Sequence, residues 1–388
     1  MRYLMMWLAA VCAAVFPAFA QGQLVIVGGG LSDDNEAVFA AFLDALPSPD
    51  APIAIIPAAS AEPARSAATF AAQLERRGVA AERIRIIRLA SVDDPASSED
   101  ESAWAANGEA PGEIMKLAGV GGIWFTGGDQ ARIMAGLTRG GEEPTAMLEI
   151  IRQRFAAGAV IGGTSAGAAI MTNRMIVQGD PFSLLPGQSE AREPLVMGRG
   201  LGLLKQGLVD QHFGERARLI RLVAALAQTD GYDPIGFGID EDTALVVAPD
   251  QLGARAVGRG RVTVIDARGA DFFREPPLDV RRARIASFTG GETINLSEPT
   301  ARAPVRPDSE AALPACIAAP SGAGLAPSES QWIAQLAGQL GEGEETTCLM
   351  AAGREGLALR FYRSAMIGAG SLMLDILPVK AEVELRQR

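Results

Sequence analysis

The sequence predicts an α/β protein in which helices cover both faces of a mostly parallel sheet, followed by a C-terminal extension. Short apolar runs rich in β-branched residues alternate with Ala-rich stretches of helical periodicity, which is the order typical of a parallel sheet. Glycine-rich turns follow these runs, at the strand ends where such folds place their sites. With 388 residues, 48% of them hydrophobic, the chain is long enough for one large domain or two modest ones.

Five apolar runs predict strands that end in turns, and three stretches between them predict helices. The strands are expected within "QLVIVGGG" (23–30), "PIAIIP" (52–57), "RIRIIRL" (83–89), "GGIWFTGGD" (121–129) and "GAVIGGTSAG" (158–167). The helices are expected within 34–46, 62–78 and 145–158, where apolar residues recur at helical spacing and two stretches end in glycine.

The first 20 residues, "MRYLMMWLAAVCAAVFPAFA", predict a secretory signal peptide. A basic Arg2 precedes an apolar run over residues 4–16 and a small-residue site at Ala18-Phe19-Ala20. A membrane anchor is the alternative, but the run is shorter than the roughly 20 residues that span a bilayer. We therefore expect a secreted or periplasmic protein that begins at Gln21.

Composition narrows the chemistry that the chain can carry. Removing Arg2 changes the formal charge from −11 to −12, which argues against nucleic acid as a partner. One histidine and two remaining cysteines, Cys316 and Cys348, cannot build a usual zinc site, so we expect no metal and no cofactor. In an oxidising compartment these two cysteines are expected to pair.

The first glycine-rich turn, "VIVGGGLSD", begins like a dinucleotide-binding fingerprint. Asp33 stands where the third glycine of that fingerprint belongs, and no acidic residue ends a convincing second strand. The turn is better explained as a structural one, whose glycines let the backbone pass close to a neighbouring loop.

A second turn, Gly163-Thr164-Ser165-Ala166-Gly167, fits the G-x-S-x-G pattern of a nucleophile elbow. It lies between an apolar strand and a small-residue helix start, as that elbow requires. A tight turn there would project the Ser165 hydroxyl from the sheet edge, above a helix N-terminus that favours developing negative charge. A plain Gly/Ser turn with no catalytic role is the alternative.

A serine nucleophile needs a base, and the only imidazole is His212. A lone histidine is more often a surface or core residue, so this assignment rests on elimination. The acid that would orient His212 is expected in "GIDED", which offers Asp240, Glu241 and Asp242. The order serine, histidine, acid differs from that of α/β-hydrolases and excludes a lipase-like fold.

Four motifs in order, "FTGGDQ", "GGTSAGA", "VDQHFGERARLIRL" and "GIDEDTALVV", resemble the cyanophycinase family of serine peptidases, which is related to aspartyl dipeptidase. The resemblance covers roughly residues 23–270 and implies a three-layer α/β/α sandwich like that of class I glutamine amidotransferases. It also implies that Ser165 is the nucleophile, His212 the base and Glu241 the acid. The N–H groups of Gly128 and Ala166 would then form the oxyanion hole.

The resemblance further implies a substrate pocket lined by polar and charged residues: Gln130, Asp210, Gln211, Arg216, Arg218 and Arg221. Cyanophycin, a poly-aspartate whose side-chain carboxyls are amide-linked to arginine, offers carboxylates and guanidinium groups to such a pocket. On a regular helix, however, Arg216 and Arg218 point to different faces, so they converge only if Arg216 precedes the first turn.

The implied activity is hydrolysis of cyanophycin to β-aspartyl-arginine dipeptides without a cofactor. An exported peptidase acting on other aspartyl or isoaspartyl peptides and a non-catalytic binding protein of the same fold are the alternatives, and a homodimer is left open. We divide the chain into a signal peptide (1–20), a catalytic domain (21–295) and a C-terminal extension (296–388). The extension begins with a segment rich in Pro, Ala and Ser, and its role is undecided by the sequence.

Overall fold

The computed structural model describes residues 21–184, 192–229, 231, 233–273, 277–301, 329–352, 355–364 and 370–380. The predicted signal peptide, Cys316 and most of the Pro/Ala/Ser-rich segment lie outside these residues. None of the helices in the described ranges is long and apolar enough to cross a membrane.

The strands, in chain order, are β1 (Leu24–Val27), β2 (Ile53–Ile56), β3 (Ile84–Ile86), β4 (Gly122–Phe125), β5 (Thr138–Arg139), β6 (Glu143–Pro144), β7 (Val160–Thr164), β8 (Arg174–Gln178), β9 (Val196–Arg199), β10 (Leu208–Gln211), β11 (Ile235–Ile239), β12 (Thr243–Val247), β13 (Gly253–Gly258), β14 (Arg261–Asp266), β15 (Asp271–Phe273), β16 (Asp279–Thr289), β17 (Thr293–Asn295), β18 (Glu345–Ala352), β19 (Glu355–Tyr362) and β20 (Leu372–Lys380). The helices are α1 (Glu36–Leu43), α2 (Pro63–Glu75), α3 (Pro111–Met115), α4 (Gln130–Leu137), α5 (Ala146–Ala156), α6 (Ala166–Ala169), α7 (Leu219–Ala227) and α8 (Glu329–Gln339).

The central sheet has the strand order β17-β13-β12-β1-β7-β4-β2-β3. The five strands expected from the sequence, β1, β2, β3, β4 and β7, pair in parallel, whereas β12, β13 and β17 add an antiparallel side. Every residue of β1, β2 and β4 is buried, which explains their continuous apolar sequences. The predicted fold class, with a mostly parallel central sheet, is confirmed.

Helices cover both faces of this sheet, and each face has its own apolar core. On one face α1 and α2 bring Phe39, Phe42 and Phe70 against Trp124 and the valines of β1. On the other face α4, α5 and α6 pack against the isoleucines of β1, β4 and β7. The three predicted helices correspond to α1, α2 and α5, each within the expected stretch.

A second sheet, which the sequence analysis did not foresee, has the order β10-β11-β14-β16-β20-β19-β18. Only β10 and β11 pair in parallel, and the remaining neighbours in this order are antiparallel. The strand before His212 therefore belongs to this sheet and not to the one that carries the elbow. Apolar periodicity identifies a strand but does not identify its partner.

The C-terminal part of the chain packs as part of this second sheet. β20 pairs with β16, and α8 places Trp332, Ile333 and Leu336 in the same apolar core as residues of α7. The core thus joins residues from both sides of the boundary that we drew at 295. Cys348 lies in β18, is buried and is disulfide-bonded.

We expect Cys316 to be the partner of Cys348 in the exported protein. In the chain-entropy model the loop between them would stabilise the fold by about 3 to 4 kcal/mol. Thiol labelling of the denatured, unreduced protein, followed by peptide mapping after reduction, shows whether Cys316 and Cys348 are paired. Two freely labelled thiols would contradict the pairing.

Candidate active site

The turn between β7 and α6 holds Ser165 in a strained conformation. Its φ of 53° and ψ of −110° lie outside the regions that a serine ordinarily adopts, at a cost of about 1–3 kcal/mol. The flanking glycines leave room for no larger residue: a Cβ at Gly163 would lie 2.5 Å from the Gly167 carbonyl oxygen, and one at Gly167 would lie 2.4 Å from that of Phe125. The strand, turn and helix of a nucleophile elbow are therefore present, with the hydroxyl at the carboxyl edge of the sheet.

Ser165, His212 and Glu241 form an unbroken hydrogen-bonded chain. The Oγ of Ser165 lies 2.7 Å from Nε2 of His212, and Nδ1 of the same ring lies 2.5 Å from Oε1 of Glu241. His212 has a positive φ of 48°, and its backbone N–H donates to the Gly28 carbonyl across 2.6 Å. This backbone bond brings the end of β10, in the second sheet, to the elbow in the first.

The glycine-rich turn after β1 forms the wall behind this chain. A Cβ at Gly29 would lie 2.2 Å from Cε1 of His212, and one at Gly30 would lie 2.7 Å from Oε2 of Glu241. A Cβ at Gly28 would lie 2.2 Å from the Asp240 carbonyl oxygen. The glycines thus permit a close approach of loops, and the structural explanation of "VIVGGGLSD" is confirmed.

The environment of His212 favours the neutral imidazole. Burial lowers the pKa of His212, the hydrogen bond to Glu241 raises it, and the positive charge of Arg216 lowers it further, with a net shift downward from the usual value. A neutral ring whose Nδ1–H faces a carboxylate presents Nε2 as an acceptor to Ser165. This geometry and the lowered pKa are what a general base at this position would require.

Of the three clustered acids, only Glu241 bonds to the imidazole. Its backbone N–H donates to Oε2 of Glu215 across 3.1 Å. Asp242 faces the other way, because its Oδ1 accepts from the Ser32 N–H at 2.9 Å and from the Asn35 side chain. Asp240 is buried, and its burial raises the pKa of that carboxyl to about 7. Spacing alone could not have separated the three acids.

The two N–H groups predicted for the oxyanion hole lie beside the elbow. Ala166 follows Ser165 directly, and the turn that contains Gly127 and Gly128 approaches it, since a Cβ at Gly127 would lie 3.4 Å from Cβ of Ser165. Gly128 itself has a φ of 141°. Among the described residues, the N–H groups of Gly128 and Ala166 donate to no protein acceptor; Gly128 is exposed, whereas Ala166 is fully buried.

The residues predicted to line a substrate pocket are placed unequally. Asp210 and Arg221 are almost fully buried and bind each other: Nε of Arg221 donates to Oδ2 of Asp210 across 2.9 Å, and Nη1 donates to the Gly179 carbonyl across 2.8 Å. The guanidinium of Arg218 is buried against the side chain and carbonyl of Gln211. These four residues form a packed polar layer next to His212 in sequence, in which Asp210, Gln211 and the two guanidinium groups bond to one another, while Nε of Arg218 is buried without a partner among the described residues.

Burial also lowers the pKa of Arg218 to about 10, a sign of how far this guanidinium is removed from water. Arg216 is exposed to solvent. Gln130 lies outside the buried layer, where its side-chain amide donates to the Ile176 carbonyl oxygen across 3.0 Å. Because α7 begins at Leu219, Arg216 precedes the helix, so the rule that residues two apart on a helix point to different faces does not apply to it. The structure nevertheless does not bring Arg216 or Gln130 to the buried layer.

The C-terminal segment contacts the loop that carries His212, a feature that the sequence analysis missed. Oε2 of Glu329 accepts from the Leu219 N–H at 2.9 Å and so caps α7, whose own N-cap residue offers no side-chain bond. The Ser330 hydroxyl donates to Oδ1 of Asp240 across 2.6 Å. Complete burial raises the pKa of Glu329 to about 8. No local pattern announces a cap supplied from 110 residues away.

A cavity of about 410 Å³ lies next to Ser165, and His212 is not part of its lining. Its walls come from the turns after β1 and β4 and from α2, including Glu62, Arg65 and Thr126. None of these three residues was predicted to belong to the site. Glu62 and Arg65 lie at the start of α2 without a recognisable motif, and Thr126 belongs to "FTGGDQ", in which only Gly128 and Gln130 were assigned a role.

Comparison with known proteins identifies the family. The model of Peptidase family S51 matches residues 24–254. A cyanophycinase of Nostoc sp. (strain PCC 7120) is 33% identical over 285 residues, which is 71% of this chain and 86% of that protein. A cyanophycinase of Synechococcus elongatus is 32% identical over 283 residues, 70% of this chain and 79% of that protein. A solved peptidase from an acI-B1 Actinobacterium is 20% identical, covering 72% of this chain and 98% of its own, with a TM-score of 0.48.

Because the chain has one histidine, the titration of its imidazole can be followed without ambiguity by NMR. We expect the pKa of His212 to lie below its usual value of about 6.5. It should fall further in Glu241→Gln, which removes a contribution that raises it, and rise in Arg216→Gln, which removes one that lowers it. Asp250→Asn, at an exposed carboxylate, is the charge-matched control. Identical values in all these proteins would contradict the electrostatic account of the site.

We expect Gly29→Ala to displace the imidazole, because the new Cβ meets the His212 ring. Labelling of Ser165 by a fluorophosphonate should slow by about 10²-fold, the cost of misplacing a reacting group by about 1 Å. Gly119→Ala is the control, since Gly119 also has a positive φ of 69° but has nothing within 4 Å of its added Cβ. Equal labelling rates in the two variants would show that the clash is relieved without moving the ring.

Proposed function

The chain belongs to peptidase family S51 and is a serine-type peptidase, and on this basis we propose that it hydrolyses cyanophycin through Ser165, His212 and Glu241. The observation that carries the proposal is the hydrogen-bonded chain from the Ser165 hydroxyl through the imidazole to the carboxylate. The two curated relatives named above are cyanophycinases, which supports this choice of substrate.

In the proposed reaction, Oγ of Ser165 adds to the carbonyl carbon of an aspartyl peptide bond while Nε2 of His212 takes the hydroxyl proton. The carbonyl oxygen becomes negative and accepts from the N–H groups of Gly128 and Ala166. The carbon–nitrogen bond then breaks as the imidazolium gives its proton to the leaving amine. Water, deprotonated by the same imidazole, releases the acyl group as a free acid and restores the serine.

Glu241 contributes by holding the imidazole in the tautomer whose Nε2 faces Ser165, and by stabilising the imidazolium that forms. No step in this sequence calls for a metal or a cofactor. The products from cyanophycin would be β-aspartyl-arginine dipeptides.

We further propose that the protein is exported, on the strength of the basic, apolar and small-residue segments in residues 1–20. An exported cyanophycinase would act on polymer outside the cytoplasm that made the enzyme. A peptidase for other aspartyl or isoaspartyl peptides is the second candidate, favoured by the single feature that Asp210, a predicted partner of the substrate, is already paired with Arg221.

We expect Ser165→Ala to lower kcat on cyanophycin by at least about 10³-fold. The unfolding temperature of the variant should be unchanged, because the substitution removes a small hydroxyl and no core contact. The measurement is release of β-aspartyl-arginine from washed cyanophycin, with aspartyl and isoaspartyl dipeptides assayed in parallel. Thr138→Ala, at a threonine in β5 outside the site, is the control. Full activity in Ser165→Ala would end the serine mechanism, and turnover of dipeptides alone would select the second candidate.

A further inference from the structure

The cavity beside Ser165 has the features of a binding subsite that the family resemblance did not assign. It is continuous with the nucleophile, because Thr164 and Ser165 are part of its lining. A volume of about 410 Å³ falls within the range of small-molecule pockets. Residues of α2 are part of its lining, whereas His212 and the buried arginines are not.

The inner end of the cavity contains a polar group without a partner. Thr126 is only 4% exposed, and its hydroxyl makes no hydrogen bond with any described residue. A buried hydroxyl left unpaired costs about 1–3 kcal/mol, so its persistence next to the nucleophile calls for a reason. Because Thr126 is part of the lining, a rotation of its side chain would bring the hydroxyl, now buried, to a polar atom of a bound ligand.

The wall between the inner and outer ends is apolar and aromatic. Leu31 and the stacked rings of Phe70 and Trp124, with centroids 4.4 Å apart, form part of the lining. Such a wall suits the methylene stem of a long side chain, which packs on apolar surface while its charged head remains near water.

Two opposite charges stand at the outer end, Glu62 and Arg65, and they are the only charged side chains of this lining. Nη1 of Arg65 donates to Oε1 of Glu62 across 3.0 Å, and both side chains are about half exposed or more, at 61% and 49%. An exposed pair of this kind is worth little, so Glu62 can exchange Arg65 for a cation brought by a ligand.

Resting on the proposed function, we propose that this cavity binds the arginyl side chain of the substrate unit next to the bond that Ser165 attacks. The backbone of that unit lies at Thr126, whose hydroxyl bonds to it. The side-chain stem passes Phe70, and the guanidinium reaches Glu62, where planar, bidentate pairing with a carboxylate is strongest. The cavity is then the element that distinguishes arginine-bearing aspartyl substrates from others.

The test compares KM on two substrates, cyanophycin and a β-aspartyl peptide that carries alanine in place of arginine. Glu62→Gln should raise KM for cyanophycin by about two- to fivefold, the worth of an ion pair at a half-exposed carboxylate, with kcat and the alanine substrate unaffected. Arg65→Gln should lower KM for cyanophycin, because it frees Glu62. Glu75→Gln, exposed at the far end of α2, is the charge-matched control.

Thr126→Val provides a second, independent measurement. Because the hydroxyl has no protein partner, its loss should leave the unfolding temperature unchanged or raise it, while KM rises about fivefold for both substrates. The idea fails if Glu62→Gln leaves KM for cyanophycin unchanged, or if Arg65→Gln raises it, which would mean that the cavity recognises a carboxylate. If the wild-type protein cleaves the alanine peptide but not cyanophycin, the arginyl assignment is likewise overturned. If it cleaves neither substrate, the proposed function itself is wrong, and the two failures are thereby distinguished.

Discussion

The candidate site depends on the close approach of the turn after β1 to the ends of β10 and β11, which precede His212 and Glu241 in the chain. The ring of His212 and the carboxylate of Glu241 lie where the side chains of Gly29 and Gly30 would otherwise be. The same turn accepts the His212 N–H at Gly28 and the Asp242 N–H at Gly29. Two sheets are thus joined by backbone bonds at the point where the reacting groups meet, and glycine is what lets them meet.

Positions set by local geometry were predictable from the sequence. The turn at Ser165 was predictable because an elbow needs small residues at fixed offsets around it, and the parallel strands were predictable because full burial demands continuous apolar runs. His212 was chosen for an unusual reason, since elimination needs only a count. Glu241 required the resemblance, because the backbone path through Asp242, with its φ of 53°, decides which acid faces the ring.

Long-range pairing was not predictable in the same way. The arginines after His212 looked like a surface that could receive anions, but Asp210 turns Arg221 into part of a buried ion pair. A charged residue shows its type in the sequence and not its partner, and the partner decides whether the charge is available. For the same reason, the sequence did not predict the second sheet, the cap at Glu329 or the α2 wall of the cavity.

The pairings that build the site have a consequence for the order in which the protein can fold. The Ser32 N–H bonds to Asp242, 210 residues later, and β1 pairs with both β7 and β12. The hydrogen bond by which Glu329 caps α7 closes a further loop of 110 residues. Contacts of this separation delay folding, because the loops must close before the contacts repay the entropy. During synthesis Ser165, His212 and Glu241 therefore remain apart until most of the polypeptide has emerged, so the hydrogen-bonded chain between them is absent from the early nascent chain.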